Sequence, residues 1–476
     1  MGRLLVVAAI AAMLAGCMIG PNYQRPAIDT PEAYRFEDPN AADTANTEWW
    51  KQFQDPVLDD LIAEGLANNK DVRIAAANVE RAAGTLTETR APLFPQISYS
   101  GSAARERLTG EGPTPLFTSN PVSAFQLFGG ASWEIDLWGR IRRLTESARA
   151  NLLASVDARR GVILSLVASL ATSYIQLRSL DEQLEISNRT LATYADSVKL
   201  FELQFKHGQV SEMTVAQART QYETAAVTIP QIEAQIVQLE NAISILLGRN
   251  PGPIKRGKPL AELALFAVPA GLPSQLLELR PDIAEAEQNL IAANAQIGAA
   301  KSLYFPLISL TGAAGLVSSD LKNLFKGSAQ MWNYAGSFTG PIFTAGAISG
   351  QVVQAEAGQQ AALLSYESAI QRGFADVENA LIAHQKLGTQ VQAQQRLVDA
   401  SSDYTRLANM QYTGGYAPYF TVLQAEQQLF PAELTLAQTH GQLLSSLVAI
   451  FQAMGGGWVM EADKHTESPE PGNGAS

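Results

Sequence analysis

The chain carries the same series of short motifs twice, and this internal duplication limits its possible folds more than any other feature of the sequence. The offset is 211 residues early in each half, as from Asp71 to Asp282, and 207 later, as from Gly208 to Gly415. The matched segments are 69–72 with 280–283, 93–98 with 304–309, 205–208 with 412–415, 215–218 with 422–425, and 247–248 with 454–455. Five matches in one order predict two copies of one architecture.

Each half contains a very long stretch of helical composition. Residues 140–205 and their copy, residues 347–412, lack proline and are rich in helix-forming side chains. At 1.5 Å per residue, each stretch predicts a helix roughly 100 Å long. Apolar residues recur every three or four positions, which is typical of coiled-coil-like packing. After a glycine-containing break, a second long helix is predicted at 213–247 and again at 420–454.

Ahead of each long helix, the sequence predicts one shorter helix followed by a pair of β-strands. Apolar and polar residues alternate in 125–137 and 332–342, and partner strands are predicted at 96–107 and 307–317. Polar loops such as 110–113 are expected to be extracellular. The alternation is typical of a transmembrane β-barrel, although a half-buried sheet in a soluble domain shows it too.

Four strands are too few for a membrane barrel, because the smallest barrel made by one chain has about eight. Several chains must therefore contribute strands if the sheet spans a membrane. Three copies would supply twelve strands and twelve long helices, so that one symmetry would close both a β-barrel and a hollow α-barrel. The predicted fold class is mainly α with transmembrane β.

The first residues have the layout of a secretory signal peptide. An apolar run at 4–14 and small residues precede Cys17, the one cysteine of the chain. Leu14-Ala15-Gly16-Cys17 is similar to a bacterial lipobox, so residues 1–16 are expected to be removed and Cys17 to carry lipid. The alternative is an ordinary signal peptide with a chance cysteine. Met18, where inner-membrane lipoproteins commonly have Asp, favours sorting to the outer membrane.

Composition argues against several classes of protein. A net charge of −12 and a pI near 5.0 disfavour nucleic acid as a partner. Four scattered histidines and one cysteine leave no spacing for a metal site. Motifs of phosphate loops and nucleophile elbows are missing, so the chain is predicted to be no enzyme and to need no cofactor beyond the lipid. After the signal no apolar run of some twenty residues occurs, which disfavours an inner-membrane transporter; residues 162–170 come nearest.

Several motifs resemble the TolC-like outer membrane factors, and among them the efflux lipoproteins of the OprM/NodT type. The motifs are 17–26, 49–50 with 55–58, 136–140, 279–283, 305–306, 412–415 and 422–425. The resemblance covers nearly the whole chain. It implies a homotrimer with a twelve-stranded barrel in the outer membrane and a tapered helical tunnel in the periplasm. It further implies passive efflux of small molecules with a periplasmic adaptor and an inner-membrane pump of RND or ABC type.

The resemblance also implies roles for individual residues. In the family, the two helix-to-helix turns form a periplasmic tip where the adaptor docks. The matching residues are Phe205, Gly208, Val215, Tyr412, Gly415 and Val422. Each glycine taken alone could merely end a helix. Relatives close the tip with charged side chains, but this chain has Asn409 there, so we expect closure by neutral contacts near Leu407, with Asp403 as an acidic ring above; the alternative is that Asp403 is an ordinary surface acid in solvent.

The expected organisation divides the chain into six parts. These are the signal peptide 1–16, a lipidated segment 17–60, the first repeat 61–250, a linker 251–275, the second repeat 276–457 and a disordered tail 458–476. The cargo is not readable from the sequence, although few Met and His residues weigh against a dedicated copper or silver conduit. An exit duct for secreted proteins or peptides and a structural coiled-coil lipoprotein remain as alternative functions.

Overall fold

The structure, a computed structural model, describes residues 18–31, 33–36, 47–107, 109, 121–268 and 273–466. The predicted signal peptide, Cys17, loop 110–113 and the tail beyond residue 466 lie outside the described residues.

Each half of the chain forms two successive helices, two strands and two long helices. The first half contains α1 (Pro56–Asn68), α2 (Lys70–Arg90), β1 (Gln96–Glu106), β2 (Val122–Ile135), α3 (Arg140–Lys206) and α4 (Glu212–Leu246). The second half contains α5 (Pro273–Leu279), α6 (Pro281–Ser302), β3 (Leu307–Ser318), β4 (Gln330–Thr339), α7 (Ala347–Thr413) and α8 (Tyr419–Met454), and α9 (Trp458–Lys464) follows. The four long helices begin and end within one residue of their predicted bounds.

Three predicted details are wrong. Each half opens with two helices where one was predicted. In the first half, Asn69 accepts hydrogen bonds from the N–H groups of Asp71 (2.8 Å) and Val72 (3.0 Å) and caps a new helix; in the second half, Pro281 is the first residue of the new helix. Strand β4 ends at Thr339 and not at residue 342, since Gly340 and Pro341 do not continue a strand ladder. Strand β2 ends at Ile135, two residues early, because the next residue turns to cap α3.

The described residues form two compact units. The first comprises the described residues within Met1–Ala27, Val79–Ser155 and Ala286–Tyr366, and it holds the β-sheet. The second comprises the described residues within Ile28–Asn78, Val156–Glu285 and Glu367–Ser476, and it holds most of the long helices.

In the first unit, the four strands form one antiparallel sheet in the order β1-β2-β3-β4. The pairing of β2 with β3 joins the two halves of the chain. One face of the sheet is apolar and exposed, with Tyr99 at 90%, Tyr334 at 81% and Phe338 at 81% of full exposure. The opposite face is rich in small polar side chains, among them Ser98, Ser100, Ser102, Gln126, Ser132, Ser309, Thr311, Asn333 and Ser337. An apolar surface of this kind calls for a lipid or protein cover.

The turn from β2 into α3 is built around a tryptophan. The indole N–H of Trp138 donates to the carbonyl of Pro306 (2.8 Å), and its ring stacks on Phe305 at 4.8 Å. The carboxylate of Asp136 accepts hydrogen bonds from the N–H groups of Ile141 (3.1 Å) and Arg142 (3.0 Å). This cap satisfies the free donors at the start of α3, so the strand passes directly into the helix.

The residues that follow Cys17 are held against the same junction. Arg143 is almost fully buried and donates to the carbonyls of Ile19 (3.0 Å) and Gly20 (3.1 Å) and to Asn22 Oδ1 (2.9 Å). Gly20 has a φ of +97° and leaves no room for a side chain against Gly298. The segment therefore has a specific seat on the first unit.

The core of the second unit is centred on aromatic side chains. Trp49 is fully buried, stacks on Phe451 at 5.3 Å, and meets Trp50 and Trp458 edge-on. Helix α9 is part of this core, since Val459 is also buried. The prediction of a disordered tail from residue 458 is therefore wrong for residues 458–466, because Trp458 loses its water contact only when it packs into this cluster.

In each copy, a side chain from the start of the copy donates a hydrogen bond to a backbone carbonyl at the end of the last long helix. The donor side chain differs between the two copies. The amide of Asn69 donates to the carbonyl of Leu246 (2.8 Å), and the guanidinium of Arg280 donates to the carbonyl of Ala453 (2.8 Å). The donors are 211 residues apart and the acceptors 207, so these contacts follow the offsets of the duplication. The repeat is thus present in three dimensions.

Helix α3 is long and apolar enough, by length and composition, to cross a membrane. Its most apolar 18-residue window has a mean hydropathy of 1.3, and 56% of that window is buried within the chain. A core helix has the same composition, so this window is weak evidence for a membrane-spanning helix.

Candidate functional site

The first of the two helix-to-helix turns connects α3 to α4. Gly208 adopts a φ of +70°, and its N–H donates to the carbonyl of Phe205 (2.9 Å). The N–H of Gln209 reaches back to the carbonyl of Gln204 (2.9 Å), which completes a glycine-based helix end. Ser211 then caps α4 by accepting from the N–H of Thr214.

The second turn, between α7 and α8, repeats this geometry. Gly415 has a φ of +75°, and its N–H donates to the carbonyl of Tyr412 (3.0 Å). The N–H of Tyr416 donates to the carbonyl of Gln411 (2.8 Å). Both glycines lie in the left-handed region, where a Cβ atom is disfavoured, which explains why this residue type recurs at both turns.

Behind the turns, all four long helices contribute to one buried group that we call the tip cluster. Its members are Phe201, Val215, Ala218, Ala408, Tyr419, Val422, Leu423 and Ala425. The rings of Phe201 and Tyr419 have centroids 4.1 Å apart, and Tyr412 meets both edge-on. The tip cluster fixes the two turns to each other.

Four of the six sequence-predicted tip residues have large side chains, and the structure buries two of these and leaves two partly exposed. Val215 (5% exposed) and Val422 (1% exposed) are buried in the tip cluster, so their side chains hold the turns and do not offer surface. Phe205 is 45% exposed. Tyr412 is half-buried against the cluster.

Several large apolar side chains near the turns are exposed. We call this surface the apolar rim, and we define it by eight side chains that are between 45% and 89% exposed. They are Leu200, Leu203, Phe205, Met213, Leu407, Met410, Tyr416 and Phe420. Contiguous exposed apolar surface marks sites of protein–protein contact.

The three predicted constriction residues lie on one stretch of α7. Asp403 pairs with Arg406 at 3.3 Å, and both side chains are more than half exposed. Leu407 is 47% exposed. The amide of Asn409 donates to the carbonyl of Thr405 (3.0 Å) on its own helix. All three therefore lie within about two turns of α7, and the one charge among them, on Asp403, is paired with Arg406.

One titratable group near the turns is not evident from the sequence. Glu426 is only 8% exposed on α8, and its Oε2 atom has no hydrogen-bond partner. Burial raises the pKa of this carboxyl to about 7. Burial also raises the pKa values of Tyr194 and Tyr419, with the nearby Glu426 carboxylate as the second cause.

Comparison with known proteins finds relatives that match nearly the whole chain. The profile of the family described as "Outer membrane efflux protein" matches residues 61–249 and 272–456, which are the two copies. The chain is 37% identical over 469 residues to the "Toluene efflux pump outer membrane protein TtgC" of Pseudomonas putida, covering 96% of each chain. It is 36% identical over 456 residues to the "Cation efflux system protein CusC" of Escherichia coli, covering 94% of this chain and 97% of the relative.

Solved structures show the same fold. A crystal structure of CusC matches with a TM-score of 0.83 and 33% identity, over 92% of this chain and 100% of that chain. The open state of the MtrE outer membrane channel of Neisseria gonorrhoeae matches with a TM-score of 0.84 and 31% identity, over 93% and 99%. The predicted outer-membrane location and efflux function agree with these relatives. The duplicated helices, the four-stranded sheet and these matches together show that the chain belongs to the outer membrane efflux protein family.

Proposed function

We propose that the chain is the subunit of a passive trimeric conduit that carries small molecules from the periplasm to the exterior. The observation that carries this proposal is the sheet, which exposes one apolar face and one small, polar face. Lipid would cover the first face, and the second would line a water-filled passage. No step of bond making or breaking is part of this function.

The edges of the sheet support an assembly of several copies. Among the described residues, β1 and β4 each pair with a strand on one side only. A membrane does not tolerate unpaired strand edges, because their N–H and C=O groups have no water to bind. The two edge strands run in opposite directions, so β4 of one copy is able to pair antiparallel with β1 of the next. Three copies would close a barrel of twelve strands.

The apolar rim supports docking of a periplasmic adaptor protein at the turns. Phe205 and Tyr416 would give apolar contact area, whereas Gly208 and Gly415 would allow close approach of the adaptor backbone. The stretch from Asp403 through Leu407 to Asn409 would narrow the passage next to this surface. An inner-membrane pump, of RND or ABC type, would supply the energy through the adaptor.

For the cargo, we propose small organic molecules. Similar identities to a toluene efflux protein and to a cation efflux protein mean that overall similarity does not settle the substrate. The chain has four His and eight Met residues, and among the described residues no group of three or more His, Cys, Asp or Glu side chains is placed to hold a metal ion. A conduit for secreted proteins or peptides is the second candidate, and it would need the same architecture.

We propose further that Cys17 carries lipid in the mature protein. The seat that Arg143 gives to Ile19, Gly20 and Asn22 would hold the lipid close to the strand-to-helix junction, where Trp138 and Phe305 suit a membrane boundary. The intact mass of the purified protein tests this point. A mass that still includes residues 1–16, or that lacks acyl groups, would contradict it.

Planar-bilayer conductance of the purified protein, with its mass in detergent, tests the channel itself. We expect a trimer that gives discrete openings. A monomer without conductance would reject the conduit and favour the structural coiled-coil lipoprotein. Cargo is tested separately, by accumulation of a small aromatic dye and of a secreted reporter peptide in cells that lack or contain the chain.

A further inference from the structure

Glu426 lies in α8 between two buried apolar groups. On one side is the tip cluster, which ends at Ala425, and on the other is a second cluster that contains Ile186, Tyr194 and Phe430. The hydroxyl of Tyr194 on α3 lies 3.4 Å from the backbone carbonyl of Glu426, so the residue sits where α8 packs on α3. The residue is only 8% exposed, and the Oε2 atom of its carboxyl is buried without a hydrogen-bond partner among the described residues.

The residue equivalent to Glu426 in the first copy has an ion-pair partner, whereas no ion pair is formed by Glu426 among the described residues. At the offset of 207 residues, Glu426 corresponds to Arg219 and Asn409 corresponds to Glu202. In the first copy, Arg219 binds Glu202 at 2.6 Å across α3 and α4. In the second copy, Asn409 donates to its own helix and Glu426 Oε2 has no partner among the described residues.

Three arginines of the surrounding helices are paired with other acids. Arg189 of α3 pairs with Glu433 of α8 at 3.0 Å, Arg219 of α4 pairs with Glu202, and Arg406 of α7 pairs with Asp403. The groups that act electrostatically with Glu426 are the phenols of Tyr194 and Tyr419. No positive charge therefore offsets the cost of ionising this carboxyl in place.

We propose that Glu426 is a proton-binding site whose occupancy sets how tightly the first three turns of α8 pack against α3 at the tip. The neutral acid packs between the two apolar clusters. The carboxylate draws toward water and loosens residues 419–430. Pro431, which follows directly, has no N–H for the carbonyl of Gln427 and makes this point the natural pivot.

The direction of the pH effect follows from the raised pKa. The ordinary value for the carboxyl is 4.5, and the packed value is about 7. The packed tip is therefore favoured fully below about pH 4.5, loses its advantage by at most about tenfold per pH unit above that, and reaches a constant level above about pH 7. A rise in pH loosens the tip.

Hydrogen exchange in the acylated full-length trimer tests the site. Residues 419–430 are compared between wild type and Glu426→Gln, which is neutral at every pH, at pH 5.5 and at pH 8. Comparison at the same pH removes the intrinsic pH dependence of exchange. We expect the wild type to exchange faster than Glu426→Gln by at most about tenfold at pH 5.5, one unit above the ordinary pKa, and by a clearly larger factor at pH 8. Equal exchange of both proteins at both pH values would overturn the proposal.

Glu433→Gln is the matched control, because it removes a carboxyl from the same helix that is paired with Arg189. It should leave the pH response of residues 419–430 as in the wild type; loss of the response in this variant would also overturn the proposal. Bilayer conductance serves as a second readout and rests on the proposed closure at the tip. Exchange that responds to Glu426 while conductance ignores pH would support the proton site and reject the tip as the closing element.

Discussion

Two charged pairs near the turns are copies of each other. Asp403 pairs with Arg406 at 3.3 Å, and Asp196 pairs with Lys199 at 3.0 Å, at an offset of 207 residues. All four side chains are more than half exposed, so solvent and salt screen both pairs. The contribution of these pairs to stability is therefore small. Their contribution to ion passage can be measured.

We expect Asp403→Asn to lower the ratio of cation to anion permeability, because the variant removes one negative charge per subunit beside the proposed constriction. The reversal potential in a KCl gradient across a planar bilayer measures this ratio. Asp196→Asn is the control, since it makes the same change in the first copy. An unchanged ratio in Asp403→Asn, or an equal fall in both variants, would count against an acidic ring at Asp403.

Some single residues of the site could be predicted from the sequence, and others could not. Gly208 and Gly415 could be, because a glycine after a long helical stretch supplies the positive φ that ends a helix. Glu426 could not, because glutamate is a good helix former and usually lies in solvent. It is buried where α8 packs on α3, and there the hydroxyl of Tyr194, 232 positions away in the chain, lies 3.4 Å from its backbone carbonyl.

At the scale of elements, two phenylalanines one turn apart on α3 have opposite roles. Phe201 is 1% exposed in the tip cluster, whereas Phe205 is 45% exposed on the apolar rim. The first therefore contributes to how α3 packs with α8, and the second contributes surface. This difference separates the stability of the tip from its ability to dock a partner.

We expect Phe201→Ala to cost about 3 kcal/mol of local stability at the tip, which is typical when a buried aromatic side chain is removed. Native-state hydrogen exchange of residues 198–206 and 419–425 measures that loss. Phe205→Ala should change exchange little and should weaken binding of the adaptor in a pull-down from membranes. The reverse pattern would show that the two roles have been assigned wrongly.

Strand pairing in the middle of the sheet depends on one glycine. Gly315 lies opposite Phe128, and a Cβ atom there would collide with the backbone of β2 and with the Phe128 ring. At Gly312 on the same strand, the nearest atom to such a Cβ would be 3.8 Å away. The two positions therefore differ in the space they offer and not in their secondary structure.

We expect Gly315→Ala to disrupt pairing of β2 with β3 and to abolish heat-resistant trimers on a gel, whereas Gly312→Ala should keep them. The loss arises because backbone atoms of β2 are not free to move away. Normal trimers in Gly315→Ala would mean that the sheet adapts at this point.

The alternation of residues predicted four strands, but it did not predict their order. The contact between β2 and β3 joins residues about 190 positions apart, as in the pair Phe125 and Ser318, and no local signal specifies it. The early end of β4 was predictable in principle, because proline at 341 is a known strand terminator. Local chemistry thus sets the elements, and distant packing sets their neighbours.

At the scale of the whole molecule, the duplication predicted most of the architecture. It failed at the carboxyl end, where the polar composition indicated disorder from residue 458. Trp458 and Val459 instead pack with Trp49 and Phe451, which come from opposite ends of the chain. Such a cluster is set by tertiary structure, and composition measured over a short window does not report it.

The open edges of the sheet have a consequence for how much channel a cell makes. If three subunits must meet before every edge strand is paired, the amount of finished assembly rises with the third power of subunit concentration while assembly is incomplete. Halving synthesis of the chain would then cut the number of conduits by about eightfold in that regime. The rate of export would then depend steeply on gene dosage. A subunit with a defective β1 or β4 edge would inactivate the trimers that it joins.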